Sequence, residues 1–245
     1  FFVDGGSVGA NVAGIVFAEE QCGYLAGYAV VKEGFEKLGF TGGGGGTNPA
    51  CVRYGYGFAQ GANAAAVEMG KTVELNYTWQ YGNSYSPSSE LQALVNGWYN
   101  NGTEVIFCCG GNMYQSVAQA AAENDAYMVG VDTDQSPLSE TIITSAMKGL
   151  AATVKTMLTE TILNNNWDKF GGKVESLGLV SGDDPELNYV QIPMTSTQWA
   201  DGKFTQADYK TLVKAMFDGT IKVSNDITAM PKTTTIKVED LGNLK

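Results

Sequence analysis

Short runs with the composition of strands alternate with longer amphipathic segments along much of the chain. The runs are residues 37–41, 72–78, 104–108 and 127–131, and the segments between them are residues 50–69, 88–100 and 113–124. The runs have the length of buried strands, and the apolar residues of the longer segments recur at helical spacing. Successive strand-and-helix units of this kind predict a parallel sheet covered by helices.

Similar patterns extend toward both ends of the chain. Strands are predicted at residues 1–4, 14–17, 173–179 and 189–192, and helices at residues 20–34, 148–165 and 207–217. Two helix starts carry local signals: Ser86 offers a capping hydroxyl before a proline, and Thr205 and Asp208 have the spacing of a capping box. No apolar run approaches the roughly 18 residues of a membrane span. A chain that begins inside a strand is expected to be a piece of a longer protein.

Two strand ends in this pattern carry charged side chains. Asp132 follows the apolar run 127–131, and Lys148 follows the β-branched run 141–144, where a helical pattern begins. Open α/β sheets bind ligands at the carboxyl ends of their strands, so an acceptor and a donor beside one crevice suit a polyhydroxylated ligand. The alternative is that Asp132 caps a turn or a helix and that Lys148 is a solvated surface charge.

Composition narrows the chemistry that such a site could carry. The 245 residues are 44% hydrophobic, enough for a sizeable core, and 26 acidic against 15 basic residues give a net charge of −11. That charge disfavours nucleic acid and anionic lipid surfaces as partners. The sequence contains no histidine, which excludes Ser-His-Asp, Cys-His and His-zinc sites.

The cysteines offer no clear metal or catalytic motif. Cys22, Cys51, Cys108 and Cys109 form no Cys-x-x-Cys unit, and adjacent cysteines are poorly placed to chelate a tetrahedral metal. We interpret all four as small buried side chains. The sequence therefore predicts neither a metal site nor a cofactor, and no nucleophile–base pair supports an enzyme.

A run of glycines from Gly42 to Gly46 separates a predicted strand from a predicted helix. Its amides could cradle an anion, but it lacks the Gly-Lys-Ser/Thr ending of a phosphate-binding loop. This favours a flexible strand-to-helix loop. Arg53 follows in the helix, where it either forms an ion pair or donates hydrogen bonds to a ligand in the cleft.

Two other loops have a composition that is unusual for solvated loops. Trp79, Tyr81 and Tyr85 lie within seven residues after a predicted strand, and exposed aromatic rings usually stack on something flat, such as a purine or a sugar face. The alternative is that these rings pack at a lobe interface. Gly110 and Gly111 follow the next strand and allow either close backbone approach to a ligand or a tight turn.

Several stretches resemble the basic membrane protein family. They are LGFTGG at 38–43, RYGYGFAQG at 53–61, the segment 76–85, GTEVIF at 102–107 with the following residues to Gly111, GVDTDQ at 130–135 and SAMK at 145–148. The family comprises substrate-binding lipoproteins of ABC importers similar to the bacterial purine nucleoside receptor. The resemblance spans nearly the whole chain, in order and with compatible spacing.

The resemblance implies a type I periplasmic-binding-protein fold. In this α/β fold, two Rossmann-like lobes with parallel sheets are joined by three crossovers, and the ligand cleft lies at the hinge. Residues 1–36 and 149–178 would form an amino-terminal lobe that is incomplete here. Residues 37–148 and 179–245 would form the carboxy-terminal lobe.

The resemblance also implies a set of site residues. The ligand-binding residues would be Asp4, Tyr85, Gly111, Asp132 and Lys148, with Arg53, Trp79 and Asp134 as further candidates. Asp4 would contact the base edge, Tyr85 would replace a stacking phenylalanine, and Gly111 would offer backbone contact. Asp132 and Lys148 would hold the ribose hydroxyls. The glycine run departs from the family pattern.

The function implied is reversible capture of a purine nucleoside by lobe closure, without catalysis. The protein would be an extracytoplasmic lipoprotein that delivers its ligand to an ABC transporter permease. It would touch the membrane only through a lipid anchor on an upstream segment, and it would not bind nucleic acid. The alternatives are a binding protein for a sugar or another small metabolite, and a cytoplasmic ligand-sensing regulator with the same fold.

Overall fold

The computed structural model describes residues 1–200 and 202–244, and over these ranges strands and helices alternate. The strands are β1 (Phe2–Val3), β2 (Gly14–Phe17), β3 (Lys37–Gly42), β4 (Val73–Thr78), β5 (Val105–Cys109), β6 (Tyr127–Asp132), β7 (Ile142–Lys148), β8 (Val174–Leu177), β9 (Val190–Gln191) and β10 (Ile236–Asp240). The α-helices are α1 (Glu19–Lys32), α2 (Pro49–Met69), α3 (Ser89–Asn100), α4 (Tyr114–Glu123), α5 (Leu150–Leu158), α6 (Trp167–Phe170) and α7 (Gln206–Phe217).

The larger of two sheets has the strand order β10-β4-β3-β5-β6-β7-β9. Its neighbouring strands are parallel, except that β9 pairs antiparallel with β7. The register places Leu38 beside both Leu75 and Val105, and all three side chains are buried. Mostly parallel strands with buried side chains are typical of a sheet covered on both faces, as the sequence predicts.

The two faces of this sheet carry different apolar clusters. Because successive side chains of a strand point to opposite faces, Cys108 packs with Leu91 and Trp98, while Cys109 packs with the cluster that contains Phe40. The parallel strands end at one edge of the sheet. That edge brings the last residues of β5, β6 and β7 near one another.

A smaller parallel sheet has the strand order β1-β2-β8. Gly14 of β2 pairs with Phe2 on one side and with Val174 on the other. Within the described residues the chain passes between the two sheets three times, after β2, after β7 and after β8. This is the connectivity that the family resemblance implies.

Helix α1 packs closely against α2 through glycines. A Cβ atom added to Gly23 would lie 2.1 Å from the carbonyl oxygen of Tyr54, and one added to Gly27 would lie 2.1 Å from that of Phe58. Only glycine allows backbones to approach so closely. The helix therefore packs with the larger sheet, although the family resemblance assigns residues 1–36 to the amino-terminal lobe. The division into lobes stays a prediction, and this packing favours a boundary before α1.

Of the two helix-cap predictions, one is confirmed and one is wrong. Thr205 Oγ1 accepts a hydrogen bond from the Asp208 amide at 3.2 Å, and Asp208 Oδ2 accepts one from the Thr205 amide at 2.9 Å, so the predicted capping box is confirmed. The cap of α3 is Ser88, whose hydroxyl accepts from the Leu91 amide at 3.1 Å, and not Ser86. Ser86 instead donates to the carbonyl of Ser84.

Two strands differ from the sequence prediction. β7 continues through Lys148, and α5 begins only at Leu150, so the lysine ends a strand and does not begin a helix. β10 lies beyond the last helix predicted from the sequence, in a polar stretch for which no strand is predicted, yet it pairs parallel with β4 at the sheet edge. Its alternating residues Ile236 and Val238 are the signal that the sequence offered for this edge strand.

The cysteine prediction is confirmed, because all four cysteines are free and buried. Among residues 1–200 and 202–244, no group of three or more Cys, Asp or Glu side chains is arranged to hold a metal ion. Over the same residues, none of the helices combines the length and the apolar character needed to cross a bilayer.

Candidate functional site

A small cavity opens at the edge of the larger sheet where β5, β6 and β7 end. Its volume is about 80 Å³. The lining residues are Asp4, Asn48, Ala50, Cys51, Tyr54, Tyr85, Cys109, Gly110, Gly111, Val131, Asp132 and Lys148. The structure thus gathers around one cavity the five residues that the family resemblance implies as ligand-binding.

Two larger grooves, of about 480 and 460 Å³, lie near Tyr127 at the opposite edge of the sheet, where β6 begins. Asp125 and Glu140 line the first groove, and Glu33, Glu104 and Lys203 line the second, but none of the described residues in either lining is a buried cation that faces several carboxylates. Ligand sites in open α/β sheets lie at the carboxyl edge and combine enclosure with convergent polar groups. The smaller cavity is therefore the candidate site.

Lys148 lies at the centre of a group of carboxylates. Its Nζ is 2.8 Å from Asp4 Oδ1, 3.2 Å from Asp132 Oδ1 and 3.4 Å from Glu19 Oε1. The lysine side chain is 2% exposed, whereas Asp4 and Asp132 are 41% and 38% exposed. Burial alone would lower the pKa of Lys148, but attraction to Asp132, Asp4 and Glu19 outweighs it and raises the pKa. Lys148 is therefore a buried, protonated hydrogen-bond donor.

Arg53, on α2, supports this group by pairing with acidic residues of α1. Its Nε is 2.6 Å from Glu19 Oε2 and 3.9 Å from Glu20 Oε2. Glu19 is fully buried, so Arg53 and Lys148 together offset its negative charge. Arg53 does not line the cavity. The structure thus gives it the ion pair that the sequence left open as the alternative to ligand contact.

The backbone of the cavity wall is strained at several positions. Six non-glycine residues of the described ranges have positive φ, and three of them line the cavity: Asp4 at 65°, Tyr85 at 56° and Asp132 at 64°. Gly111, also in the lining, has a φ of 45°. Side-chain-bearing residues in the left-handed region cost free energy and cluster at ligand-binding sites. Backbone geometry thus points to the same place as the charges.

Tyr85 packs closely against the glycine loop. A Cβ atom added to Gly43 would lie 2.3 Å from ring atoms of Tyr85, and one added to Gly44 would lie 2.3 Å from its hydroxyl oxygen. Asn48 Nδ2 donates to this hydroxyl at 2.8 Å, while Asn48 Oδ1 caps α2 by accepting from the Ala50 amide at 2.9 Å. The glycines therefore make room for the ring, and Asn48 holds its hydroxyl in place.

Two amides of the glycine loop donate hydrogen bonds within the protein. Gly43 N donates to the carbonyl of Cys109 at 2.8 Å, and Gly44 N donates to that of Gly82 at 3.1 Å. Neither amide is available to an anion. The contacts therefore favour the interpretation of this segment as a structural loop over that of a phosphate site.

Two further candidates have structural partners outside the cavity lining. The Trp79 ring centroid lies 5.4 Å from those of Phe40 and Tyr77, and Trp79 is a core residue. Asp134 accepts a hydrogen bond from Ser196 Oγ at 2.6 Å. Burial alone would raise the pKa of Asp134, but hydrogen bonds from Ser196 and Ser136 outweigh it and lower the pKa. Neither residue lines the cavity.

Sequence reasoning missed several lining residues. Asn48 precedes a proline at the start of α2, and this capping signal could have placed it at the strand-end edge. Cys109 ends β5 and could have been found by the argument that identified Asp132. Tyr54, whose hydroxyl donates to Asp132 Oδ1 at 3.2 Å, had no local signal, because the contact joins distant parts of the chain.

Two parallel sheets joined by three passages of the chain, with a polar cavity at the strand ends, define a type I periplasmic-binding-protein fold. A solved ABC transporter solute-binding protein from Conexibacter woesei shares it with a TM-score of 0.62 and 23% identity, over 86% of this chain and 65% of that one. The chain belongs to the basic membrane protein family, described as PnrA-like ABC transporter substrate-binding proteins, which matches residues 1–192.

Curated relatives support the assignment to this family. Basic membrane protein B of Borreliella burgdorferi is 34% identical over 192 residues, which are 74% of this chain and 53% of that protein. The protein from Lactococcus lactis named ABC transporter nucleoside-binding protein BmpA is 26% identical over 170 residues, 62% of this chain and 46% of that protein. The chain spans about half the length of these relatives.

Proposed function

We propose that the protein captures a purine nucleoside, of the adenosine, guanosine or inosine type, as the substrate-binding component of an ABC importer. The observation that carries the proposal is the meeting of Asp132, Lys148 and Tyr85 at one cavity. A carboxylate acceptor beside an ammonium donor suits neighbouring ribose hydroxyls, and an aromatic ring suits the face of a base.

The setting of Tyr85 supports a stacking role. The ring is held between the glycine loop and the cavity, and the hydrogen bond from Asn48 restricts its orientation. A ring that is fixed before the ligand arrives loses little conformational entropy on binding. Base–aromatic stacking of this kind contributes roughly 1–3 kcal/mol per base.

Ligand entry requires movement at this site. Lys148 already donates to both carboxylate oxygens of Asp4, at 2.8 and 2.9 Å, so ribose hydroxyls would have to share or replace these bonds. The cavity of about 80 Å³ is also smaller than the roughly 300–1,000 Å³ of typical ligand pockets. Hinge motion of two lobes, with the segment around Asp4 moving away from Lys148, would provide the space.

The proposal also covers the role of the whole protein in transport. Closed and ligand-loaded, the protein would dock on a membrane permease from the extracytoplasmic side. A lipid on an upstream segment would hold it at the membrane, and it would carry out no catalysis. The Lactococcus relative is named for nucleoside binding, which supports this choice of ligand.

Calorimetric titration with adenosine, guanosine and inosine, and in parallel with ribose and xylose, tests the proposal. We expect at least one nucleoside to bind, and at a hundredfold excess over its Kd to stabilise the protein by about 2.7 kcal/mol. Tighter binding of a pentose than of any nucleoside would favour the sugar-binding alternative. A cooperatively folded protein that binds none of the nucleosides would contradict the proposal.

A further inference from the structure

Two of the four cysteines lie in the wall of the candidate cavity. Cys51 is in the first turn of α2, and Cys109 is the last residue of β5. They are 7% and 2% exposed, so the cavity is their route to solvent. Residues from two distant segments thus present thiols to the same small space.

The surroundings of these two thiols make them chemically unequal. The neighbouring Cys109 thiol, assisted by the Tyr85 hydroxyl, outweighs burial and lowers the pKa of Cys51. The first turn of a helix also favours a thiolate. Burial raises the pKa of Cys109, which therefore stays protonated and donates. A thiolate-prone sulfur beside a protonated one is the arrangement of an attacking and a resolving cysteine.

The other two cysteines have inert surroundings. Burial raises the pKa of Cys22, whose Sγ donates to the carbonyl oxygen of Met147 at 3.3 Å. Burial also raises the pKa of Cys108 to about 12, and its side chain packs on the opposite face of the sheet from Cys109. Neither thiol lines the cavity. They serve as internal controls.

We propose that Cys51 and Cys109 are an oxidation site, a thiol pair in the ligand cavity that peroxide converts to a disulfide. The Cys51 thiolate attacks one oxygen of hydrogen peroxide, which breaks the O–O bond and gives a sulfenic acid and hydroxide. The Cys109 sulfur then displaces the sulfenic oxygen, which leaves as water with the Cys109 proton. The hydroxide takes up the proton that Cys51 had released. In sum, two thiols and one peroxide give one disulfide and two waters.

The link would change the wall of the site. It would tie the first turn of α2 to the end of β5 and change the surroundings that Cys51 shares with the Tyr85 hydroxyl. A further consequence rests on the proposed function. A nucleoside bound in the cavity shields the thiols of Cys51 and Cys109 and slows their oxidation.

The test begins with the fully reduced protein and hydrogen peroxide. We expect titration of the unfolded protein with a thiol reagent to fall from four free thiols to two. Mass spectrometry is done on the Cys108→Ala variant, in which Cys109 is the sole cysteine of its peptide. We expect the peptides of Cys51 and Cys109 to be joined with the loss of two hydrogens, while Cys22 remains alkylatable. Cys109→Ala, matched to Cys108→Ala, should abolish the link, as should Cys51→Ala.

Other results would overturn the inference. They are a link between a different pair of cysteines, oxidation of Cys51 to a sulfinic acid without a link, and four intact thiols under conditions that oxidise free cysteine. Because the titration uses the unsubstituted protein, the result does not depend on whether a variant folds. A repeat with adenosine, guanosine and inosine, each at saturating concentration, separates the two proposals. A link that forms at an unchanged rate supports the thiol pair and counts against nucleoside binding at this cavity.

Discussion

The buried charge of Lys148 couples folding to ligand binding at this site. Its ammonium lies within 3.4 Å of three carboxylates, and its side chain is almost wholly buried. Removing one partner from a buried ion pair costs about 3–5 kcal/mol, because the remaining charge is left uncompensated. Substitution of the lysine would therefore change folding and binding together. Asp132 is far more exposed and gives a cleaner test of ligand contact.

Asp132→Asn is expected to weaken nucleoside binding by about 1.5–3 kcal/mol, the scale of a hydrogen bond to a charged group. Asparagine keeps the size of the side chain and tolerates the left-handed backbone, where Asp132 has a φ of 64°. Asp125→Asn is the matched control, because Asp125 also has a positive φ, of 50°, but does not line the cavity. Calorimetry measures both variants. Affinity within about threefold of the original protein for Asp132→Asn would contradict the ribose contact.

Tyr85 separates ring stacking from hydroxyl contact. Tyr85→Ala is expected to lose on the order of 1–3 kcal/mol of nucleoside binding, whereas Tyr85→Phe keeps the ring and is expected to bind with nearly unchanged affinity. Tyr81→Ala is the control, since Tyr81 lies in the same loop with a φ of 62° and packs against the apolar cluster on the other face. Equal losses in the two Tyr85 variants would show that the hydroxyl matters and the ring does not.

The buried carboxyl group of Glu20 makes the stability of the protein depend on pH. Burial raises its pKa above the ordinary 4.5, and a backbone hydrogen bond and Arg53 only partly offset this. Between pH 4.5 and the raised value, the folded protein holds a proton that the unfolded chain has released. This carboxyl therefore contributes fully to stability below pH 4.5, the pKa in the unfolded chain. The contribution is lost as pH rises through the raised pKa of the folded protein.

Glu20→Gln is consequently expected to raise the melting temperature at pH 7, with the gain disappearing below the unfolded pKa of 4.5. Thermal unfolding at pH 7 and at a pH below 4.5 measures the effect. Glu90→Gln is the control, because Glu90 is exposed on the surface of a helix. Lower stability of Glu20→Gln at pH 7 would show that attraction to Arg53, 3.9 Å away, outweighs the cost of burial.

The sequence identified charges at the site but not their partners. Asp132 and Lys148 follow from the rule that polar residues at the carboxyl ends of parallel strands meet at one edge. The ion pair of Lys148 with Asp4 joins residues 144 positions apart, and no local pattern encodes such a contact. Arg53 had two open interpretations for the same reason, since its acidic partners lie on a different helix.

The contact between α1 and α2 depends on glycine at the level of helix packing. Gly27→Ala is expected to destabilise the protein by about 1–3 kcal/mol, because its Cβ would lie 2.1 Å from the backbone carbonyl of Phe58 and the helices would have to separate. Denaturant unfolding measures the change.

Gly97→Ala provides the control of opposite sign. Gly97 lies within α3, and a Cβ added there meets no atom within 4 Å. Alanine in a helix interior stabilises by roughly 0.5–1 kcal/mol over glycine. If Gly27→Ala were as stable as Gly97→Ala, the close crossing of α1 and α2 would be wrong.

Strands and helices could be predicted from the sequence where most of their side chains are buried and where recognisable residues mark their ends. β5 and β6 are nearly continuous apolar runs, because both faces of the sheet are covered, whereas β3 and β4 carry polar residues between their apolar ones. β10 lies at the sheet edge with alternating burial and charged residues, so its composition resembles a polar tail. The end of β7 was misplaced because Lys148 is a charged residue inside a strand, stabilised there by carboxylates from other elements.

The arrangement of the two sheets came from the family resemblance and not from the periodicity. Periodicity predicts which segments are strands, but the assignment of β8 to the small sheet and β9 to the large one depends on pairings between distant segments. The close packing of α1 on α2 was hidden similarly, since glycines at positions 23, 27, 57 and 61 read locally as weak helix formers. Their spacing on two facing helices was the available signal.

Net charge bears on the choice between a nucleoside and a nucleotide. The chain carries −11, and Lys148, the one cation among the described residues that line the cavity, already faces three carboxylates. Arg53 is taken up by Glu19 and Glu20. The amides of Gly43 and Gly44 are bonded to carbonyls. A 5′-phosphate would bring about two negative charges into this cleft without a partner, at a cost of several kcal/mol.

We therefore expect adenosine, guanosine or inosine to bind at least about a hundredfold more tightly than its monophosphate, which corresponds to roughly 2.7 kcal/mol. Competition binding of each nucleoside–monophosphate pair at fixed ionic strength measures the difference. Raising the salt concentration should narrow the gap, because screening weakens repulsion between the phosphate and the acidic surface. Equal or tighter binding of the monophosphate would mean that the glycine loop rearranges to free its amides for an anion, and that the cleft is not selective for uncharged ligands.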